Sequence, residues 1–159
     1  MRVEGDGLEG LEHGNAWGLR SPCQPATNWL VGDHPAIPAD SLRFLRHGGR
    51  GGEGGEPLRD LAVKWFEHHP DDDPAWGENK PLSSGRTLSL LTGPGGFELR
   101  FRRGEGHCRL LLEDPGDFAI WGEGLEHSWR ALQPSTVLTI RWSPALERRR
   151  PRDVQGGEP

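Results

Sequence analysis

The sequence predicts an all-β domain, a β-sandwich or barrel, and three observations support this class. Short segments alternate apolar and polar residues with a period of two, as in 97–101, where Phe97, Leu99 and Phe101 alternate with Glu98 and Arg100. This is the pattern of a half-buried strand. Turn-forming residues bound each segment, and no segment holds three turns of apolar residues at the helical period of 3.6. Many short strands at roughly 8–12-residue spacing are typical of sandwiches and barrels.

Seven segments are predicted to be strands, in the order 61–65, 87–91, 97–101, 108–112, 117–121, 127–132 and 136–142. The turns between them are GPGG (93–96), RGEG (103–106), DPGD (114–117), GEG (122–124) and LQPS (132–135). Asp117 is expected to cap the DPGD turn. In 28–48, Trp29–Val31 predicts a first strand, and Pro35 and Pro38 interrupt any regular element that follows.

Composition divides the chain into four parts. Residues 1–27 are rich in Gly and acidic residues and are predicted to be disordered, as is the polar tail 144–159. Residues 28–57 are predicted to form the first strand, an arm packed on the domain and a Gly-rich linker. The barrel itself is predicted over 58–143.

Bulk properties exclude several classes of protein. The length of 159 residues suits one domain, and the net charge of -5 with a pI near 5.8 argues against nucleic-acid binding. Two distant cysteines argue for a reducing compartment. The chain shows neither a secretory signal nor an apolar run of membrane-spanning length. We expect a cytoplasmic protein.

The run PGDFAIWGEGLEHSWRA resembles the second conserved motif of the cupin superfamily. That motif is a Gly, five residues, Pro, one residue, Gly, two residues, His, three residues and Asn. Gly116, Gly124 and His127 fall in register, whereas Gly122 stands at the Pro position and Ala131 at the Asn position. Five residues make one strand across a small barrel, and the glycines allow a tight reversal. The resemblance implies a cupin-type jelly-roll barrel with His127 pointing into it.

The first cupin motif would supply two histidines and a glutamate to a metal site. Counting back from Gly93, those positions fall between Asn79 and Leu82 and near Arg86, and none of them is His or Glu. One imidazole does not hold a divalent ion usefully, so we expect no metal cofactor. An alternative stays open in which His68 or His69, from the run EHHPDDDP, joins His127 around an ion.

The stretch 61–143 also resembles small stand-alone bacterial cupin-like proteins, many of them cyanobacterial. The shared features are a V-K-W…H strand, a W-G-x-N-K loop, T-L-S-L-L, H-x-W and a closing V-L-T-I-R-W. This resemblance supplies no biochemical role.

Five residues form the predicted ligand site. His127 is the central polar group, and Trp129, two residues along, shares its face of the strand. Lys80 and Arg86 are hydrogen-bond donors that suit an anion, and Asn79 lies beside Lys80. For each the competing interpretation is structural: core packing for the tryptophan, solvated charge for Lys80 and Arg86. Trp121 and Trp142 are expected in strands near His127.

The predicted function is metal-independent binding of a small polar or anionic ligand inside the barrel. Two alternatives stay open: an isomerase, epimerase or lyase with His127 as acid and base, and a metal-dependent cupin with a rearranged first motif. Whether the protein is an enzyme is left open by the sequence. A homodimer is expected, with the arm at 28–32 as its contact, because an open sheet edge needs covering.

Overall fold

The computed structural model describes residues 1–19, 28–32, 34–38, 41–44, 61–72, 80–81 and 85–142, and at 80–81 only the backbone. Within these ranges the chain is almost entirely β, as predicted. The strands are β1 (Arg2–Gly5), β2 (Leu11–Asn15), β3 (Ala62–His68), β4 (Lys80–Pro81), β5 (Arg86–Leu91), β6 (Gly96–Arg103), β7 (Gly106–Leu112), β8 (Asp117–Trp121), β9 (Glu126–Gln133) and β10 (Ser135–Trp142). The only helices in the described part are two short 3-10 turns, Ala16–Leu19 and Pro70–Asp72.

Two five-stranded antiparallel sheets make up the domain. Sheet A has the order β1-β7-β6-β9-β4, and sheet B has the order β2-β8-β5-β10-β3. Strands that are consecutive in the chain repeatedly fall in different sheets, which is the arrangement of a jelly roll. The predicted fold class is thus confirmed.

The main core lies between the sheets. Along β6 the side chains of Phe97, Leu99 and Phe101 point inward and are at most 3% exposed, as the alternation in 97–101 predicts. They join the other buried residues of this cluster, which are Leu91, Cys108, Leu110, Leu112, Ala119, Trp121, Leu125, Ala131 and Val137. The alternation of apolar residues therefore identifies the inner face of sheet A correctly.

A second apolar cluster covers the outer face of sheet B. Its buried members are Leu88, Phe118, Ile120 and Trp142, and partly buried residues that include Leu30, Val31 and Leu42 pack against it. We call the described residues within 28–44 the arm, because Leu30, Val31 and Leu42 pack on the outer face of the sheet. Trp142 thus belongs to this outer cluster. The sequence predicts it near His127, and this prediction is wrong.

The N-terminal segment corrects a prediction. The composition of 1–27 predicts disorder, yet within 1–19 β1 pairs with β7 at one edge of sheet A, and β2 pairs with β8 at one edge of sheet B. Backbone hydrogen bonding to an existing strand stabilises a short polar segment that has no apolar run of its own. Residues 20–27 lie outside the described residues.

The structure of the arm differs from a second prediction, that of a first strand at 29–31. The described part of 28–44 has no regular strand, only a single parallel bridge between Gly32 and Phe44. Turns at 34–38, where Pro35 and Pro38 lie, separate the two sides of that bridge. The predicted linker 47–57 and the tail 144–159 both lie outside the described residues. No helix in the described part of the chain is long and apolar enough to cross a membrane.

Candidate functional site

β9 carries the two residues that the sequence places at the centre of the site. Gly124 has a φ of 85°, in the left-handed region where a residue with a Cβ is strained, so a glycine is required at this turn before β9. In the ladder that follows, His127 pairs with Phe101 and Trp129 pairs with Leu99. Both partners point inward, and directly opposite residues share a face. His127 and Trp129 therefore face the interior together.

A second histidine comes to the same interior from the opposite sheet. His68 is the last residue of β3 and only 5% exposed. Its ring centroid lies 4.4 Å from that of Trp129 and 5.1 Å from that of Phe97. The rings of Phe97 and Trp129 stack at 5.5 Å. An imidazole is thus enclosed by aromatic rings beside the predicted site.

Burial determines the electrostatics of His68. Removal from water lowers the pKa of the imidazole, and the nearby Lys64 lowers it further. The neutral ring has one acceptor nitrogen and one N–H donor. Its Nδ1 is buried and has no hydrogen-bond partner among the described residues. At neutral pH His68 thus presents an uncharged polar group to the interior.

His127 has its own aromatic neighbour. The ring centroids of Trp121 and His127 lie 5.0 Å apart, and Phe101 packs edge-on against Trp121 at 5.2 Å. His127 is half-buried, whereas Trp121 is only 3% exposed. The interior therefore holds two pairs of an imidazole and an indole, His68 with Trp129 and His127 with Trp121.

The predicted anion partners are placed differently from one another. Arg86 does not face His127: its guanidinium Nη1 donates to the backbone carbonyls of Ser41, Leu42 and Phe44 at 3.0–3.5 Å. This corrects its assignment as a ligand-binding residue, because a donor pointed at the arm is not available inside the barrel. Lys80 lies directly opposite His127 in the β4–β9 ladder. Asn79 lies outside the described residues.

The run EHHPDDDP divides between the interior and the solvent. Adjacent strand residues point to opposite sides, so His68 enters the core while His69 is exposed, with its Nε2 2.8 Å from an oxygen of Glu67. The backbone N–H of His69 donates to the carboxylate of Asp72 at 2.8 Å, within the turn Pro70–Asp72. Asp71 and Asp72 of this run therefore lie in an exposed turn. Residues 73–79 lie outside the described residues.

The side chains do not fit the three-histidine, one-glutamate set of the cupin metal site. Arg86 is directed at the arm, and the described residues contain no group of three His, Cys, Asp or Glu side chains that could hold an ion. Two imidazoles inside the barrel fall short of the ligands that a stable divalent site needs. The chemistry that these residues can perform is therefore that of imidazole and indole side chains: hydrogen bonding, proton transfer and ring stacking.

His68 and Trp121 lie outside the five residues of the predicted ligand site, although the sequence offers His68 as an alternative metal ligand and places Trp121 near His127. The alternation in 61–65 places Val63 and Trp65 inward and would turn His68 to the other face, yet Val63 and Trp65 are exposed and His68 is buried. Only the ladder with β10, in which His68 pairs with Ser135, establishes its face. The sequence places Trp121 near His127. Its position at the end of the strand before Gly122 is the feature of the sequence that could have added Trp121 to the predicted site.

Topology and motif together define the kind of fold. Gly116, with a φ of 93°, precedes β8 and Gly124 precedes β9, so the predicted motif spans two strands that lie in different sheets. The fold is a jelly roll, and the run from Gly116 to His127 within it resembles the cupin motif. No protein-family model matches the chain, and no curated protein matches it.

Solved structures with similar folds include three enzymes. A 2-hydroxyethylphosphonate dioxygenase from Streptomyces albus, with substrate and Fe(II) bound, is 20% identical over 54% of this chain and 18% of its own, with a TM-score of 0.44. The hydroxypropylphosphonic acid epoxidase from S. wedmorenis is 15% identical over 51% and 42%, at 0.37. The TDP-quinovose 3,4-ketoisomerase from Campylobacter jejuni is 13% identical over 55% and 65%, also at 0.37. The match thus spans less than a fifth of the dioxygenase.

Proposed function

We propose that this cupin-like protein binds a small polar ligand inside the barrel, without a metal ion. The observation that supports it is His68, whose imidazole is 5% exposed and whose Nδ1 has no hydrogen-bond partner among the described residues. An unsatisfied buried polar atom costs about 1–3 kcal/mol, and a ligand that hydrogen bonds to it recovers that cost. We assign the missing hydrogen-bond partner of His68 Nδ1 to the ligand.

The surrounding rings suggest the shape of the ligand. Trp129 contacts His68, Trp121 contacts His127, and the two histidines come from opposite sheets. Aromatic faces favour a planar molecule, and neutral imidazoles both accept and donate hydrogen bonds. A planar heteroaromatic or amide compound matches these groups. An anionic substituent would be bound by Lys80, whose backbone lies opposite His127.

The experiment compares two adjacent histidines. A fragment set of planar amides and heteroaromatic acids is screened by thermal shift and saturation-transfer NMR on the full chain. We expect hits whose binding is lost in His68→Ala and His127→Ala and kept in His69→Ala, because His69 is exposed to solvent. Hits that bind all four proteins equally would contradict the proposed site. Trp129→Leu, which keeps an apolar side chain at this position, is a further variant that should weaken binding.

Two further measurements separate the alternatives. Metal analysis of the purified protein is expected to show no stoichiometric ion; an ion lost in both His68→Ala and His127→Ala would overturn the metal-independent part of the proposal. Each hit is also incubated and examined for conversion. Conversion that His127→Gln abolishes without loss of binding would establish the enzyme alternative, with His127 as acid and base. The cytoplasmic location stays a prediction.

A further inference from the structure

Trp121 carries a polar atom that the proposed function does not use. It is the last residue of β8, and in sheet B it pairs with Leu11 on one side and with Thr87 on the other. Its indole reaches across to sheet A, where the ring centroids of Phe101 and His127 lie 5.2 Å and 5.0 Å away. Trp121 therefore forms one wall of the proposed ligand site inside the barrel, which we call the interior site.

The indole nitrogen of Trp121 is buried without a hydrogen bond. Trp121 is 3% exposed, and its Nε1 has no hydrogen-bond partner among the residues that the structure describes. Buried indole N–H groups usually have a partner, and a buried donor that is left unpaired destabilises a protein. The interior site thus contains a donor whose acceptor has to come from outside the described residues.

This donor adds a requirement that the two histidines of the site do not impose. A neutral imidazole has one donor and one acceptor nitrogen, so His68 and His127 can each donate to a ligand or accept from it. An indole N–H only donates, so a ligand atom against Trp121 has to be an acceptor. Phe101 is fully buried, whereas His127 is half-buried. The ring of His127 is therefore the neighbour of Trp121 that can turn to admit such an atom.

We propose that Trp121 determines the specificity of the interior site by donating a hydrogen bond from Nε1 to a carbonyl oxygen of the ligand. A site that hydrogen bonds to one group of its ligand rejects the analogue that lacks this group, because the buried donor is then left unpaired. The ligand class is thereby narrowed to planar amides, lactams and ketones. This assignment rests on the proposed function, since it requires that a ligand enters the interior.

The first test compares oxindole with indoline, measured by calorimetry on the full chain. Both have a fused planar ring system with one N–H, and only oxindole has a carbonyl oxygen. We expect oxindole to bind with a dissociation constant of about 1 mM, and indoline to bind about tenfold more weakly. Trp121→Phe keeps an aromatic ring and removes the N–H, so its two dissociation constants should differ by less than about twofold.

Trp142→Phe is the matched control. Trp142 is 2% exposed, and its Nε1 also has no partner among the described residues, but it lies in the apolar cluster on the outer face of sheet B. This variant should keep the preference for oxindole. Loss of the preference in both variants would show that it comes from general packing and would overturn the role of Trp121.

A second measurement uses the native chain and does not depend on how the variants fold. In the NMR correlation spectrum of nitrogen-labelled protein, the indole cross-peaks of Trp121 and Trp142 are assigned by their absence from the two variants. Saturating oxindole should move the proton resonance of Trp121 downfield, as a new N–H···O hydrogen bond does, and leave that of Trp142 in place.

The outcomes separate the role of Trp121 from the proposed function. Equal binding of oxindole and indoline to the native protein, or a Trp121 cross-peak that does not move, would overturn the role of Trp121 and leave the interior site standing. No binding of either compound at about 10 mM would overturn the interior site as well.

Discussion

At the scale of single residues, Asp117 shows how one buried carboxylate organises a turn. Its side chain is 1% exposed, and it accepts hydrogen bonds from the backbone N–H groups of Glu113 and Asp114 and from the side-chain amide of Asn15 at 2.8–3.0 Å. Its expected role as the cap of the DPGD turn is confirmed. Burial raises the pKa of this carboxyl, but the hydrogen bonds outweigh it, and the net pKa is lowered.

The lowered pKa gives a stability prediction with a definite sign. Because the folded pKa lies below the unfolded value, Asp117 stabilises the fold above a pH of about 4 and this contribution is lost as the pH falls further. Asp117→Asn should lower the free energy of unfolding at pH 7 by about 2 kcal/mol, the scale of hydrogen bonds to a charged group. Urea denaturation at pH 7 and below pH 4 measures both effects. Asp114→Asn, at an exposed side chain, is the control, and an equal loss in both variants would contradict the assignment.

At the scale of elements, the arm depends on polar contacts as well as on apolar packing. Glu12 of β2 accepts from the backbone N–H of Leu42 at 2.6 Å and from the hydroxyl of Ser41 at 2.8 Å. Arg86 donates to three carbonyls of the same segment. Burial lowers the pKa of Arg86, and Glu12 opposes that effect. The two neighbours of β8 in sheet B, β2 and β5, thus hold the arm through hydrogen bonds to the backbone of the arm.

Arg86→Gln should loosen the arm, because a shorter neutral side chain cannot reach three carbonyls at once. We expect faster amide hydrogen exchange at Gly32, Leu42 and Phe44, with exchange in β6 and β7 unchanged, since local opening leaves the main core intact. Arg141→Gln, at an exposed position of β10, is the control. Unchanged exchange in the arm of Arg86→Gln would show that apolar packing alone holds it.

At the scale of the whole molecule, β3 is an edge strand of sheet B among the residues that the structure describes. It pairs with β10 and closes sheet B on one side. Val63 and Trp65 are 63% and 67% exposed, and Phe66 is 47% exposed. Apolar edge strands tend to pair with another chain. The arm, the contact expected from the sequence, packs on its own sheet instead, so we predict that the homodimer forms through β3.

We therefore predict that the protein is a dimer and that one charged side chain introduced into β3 disrupts it. Light scattering at tens of micromolar, a concentration suited to weak association, should report a dimer for the native chain and a monomer for Trp65→Lys. Trp17→Lys is the matched control, because Trp17 is 65% exposed but lies in the 3-10 turn Ala16–Leu19. A native monomer would end the hypothesis, and loss of the dimer in both variants would indicate nonspecific apolar contact.

The sequence by itself determined the strands of the core and the orientation of β9. Alternation along 97–101 is a local property, and local backbone geometry is enough to place Phe97, Leu99 and Phe101 on one face. The inward orientation of His127 is what the resemblance of Gly116, Gly124 and His127 to the cupin motif implies, and the period of two places Trp129 on the same face.

Only the tertiary structure decided the rest, because pairing depends on residues far away in the chain. β1 and β2 are short and polar, and they exist as strands through the edges of β7 and β8. His68 faces the interior because of the register of β3 on β10, and Arg86 is drawn to the arm by carbonyls more than forty residues earlier. A sequence pattern shows which side chains share a face of a strand. Which element packs against that face depends on residues far away in the chain.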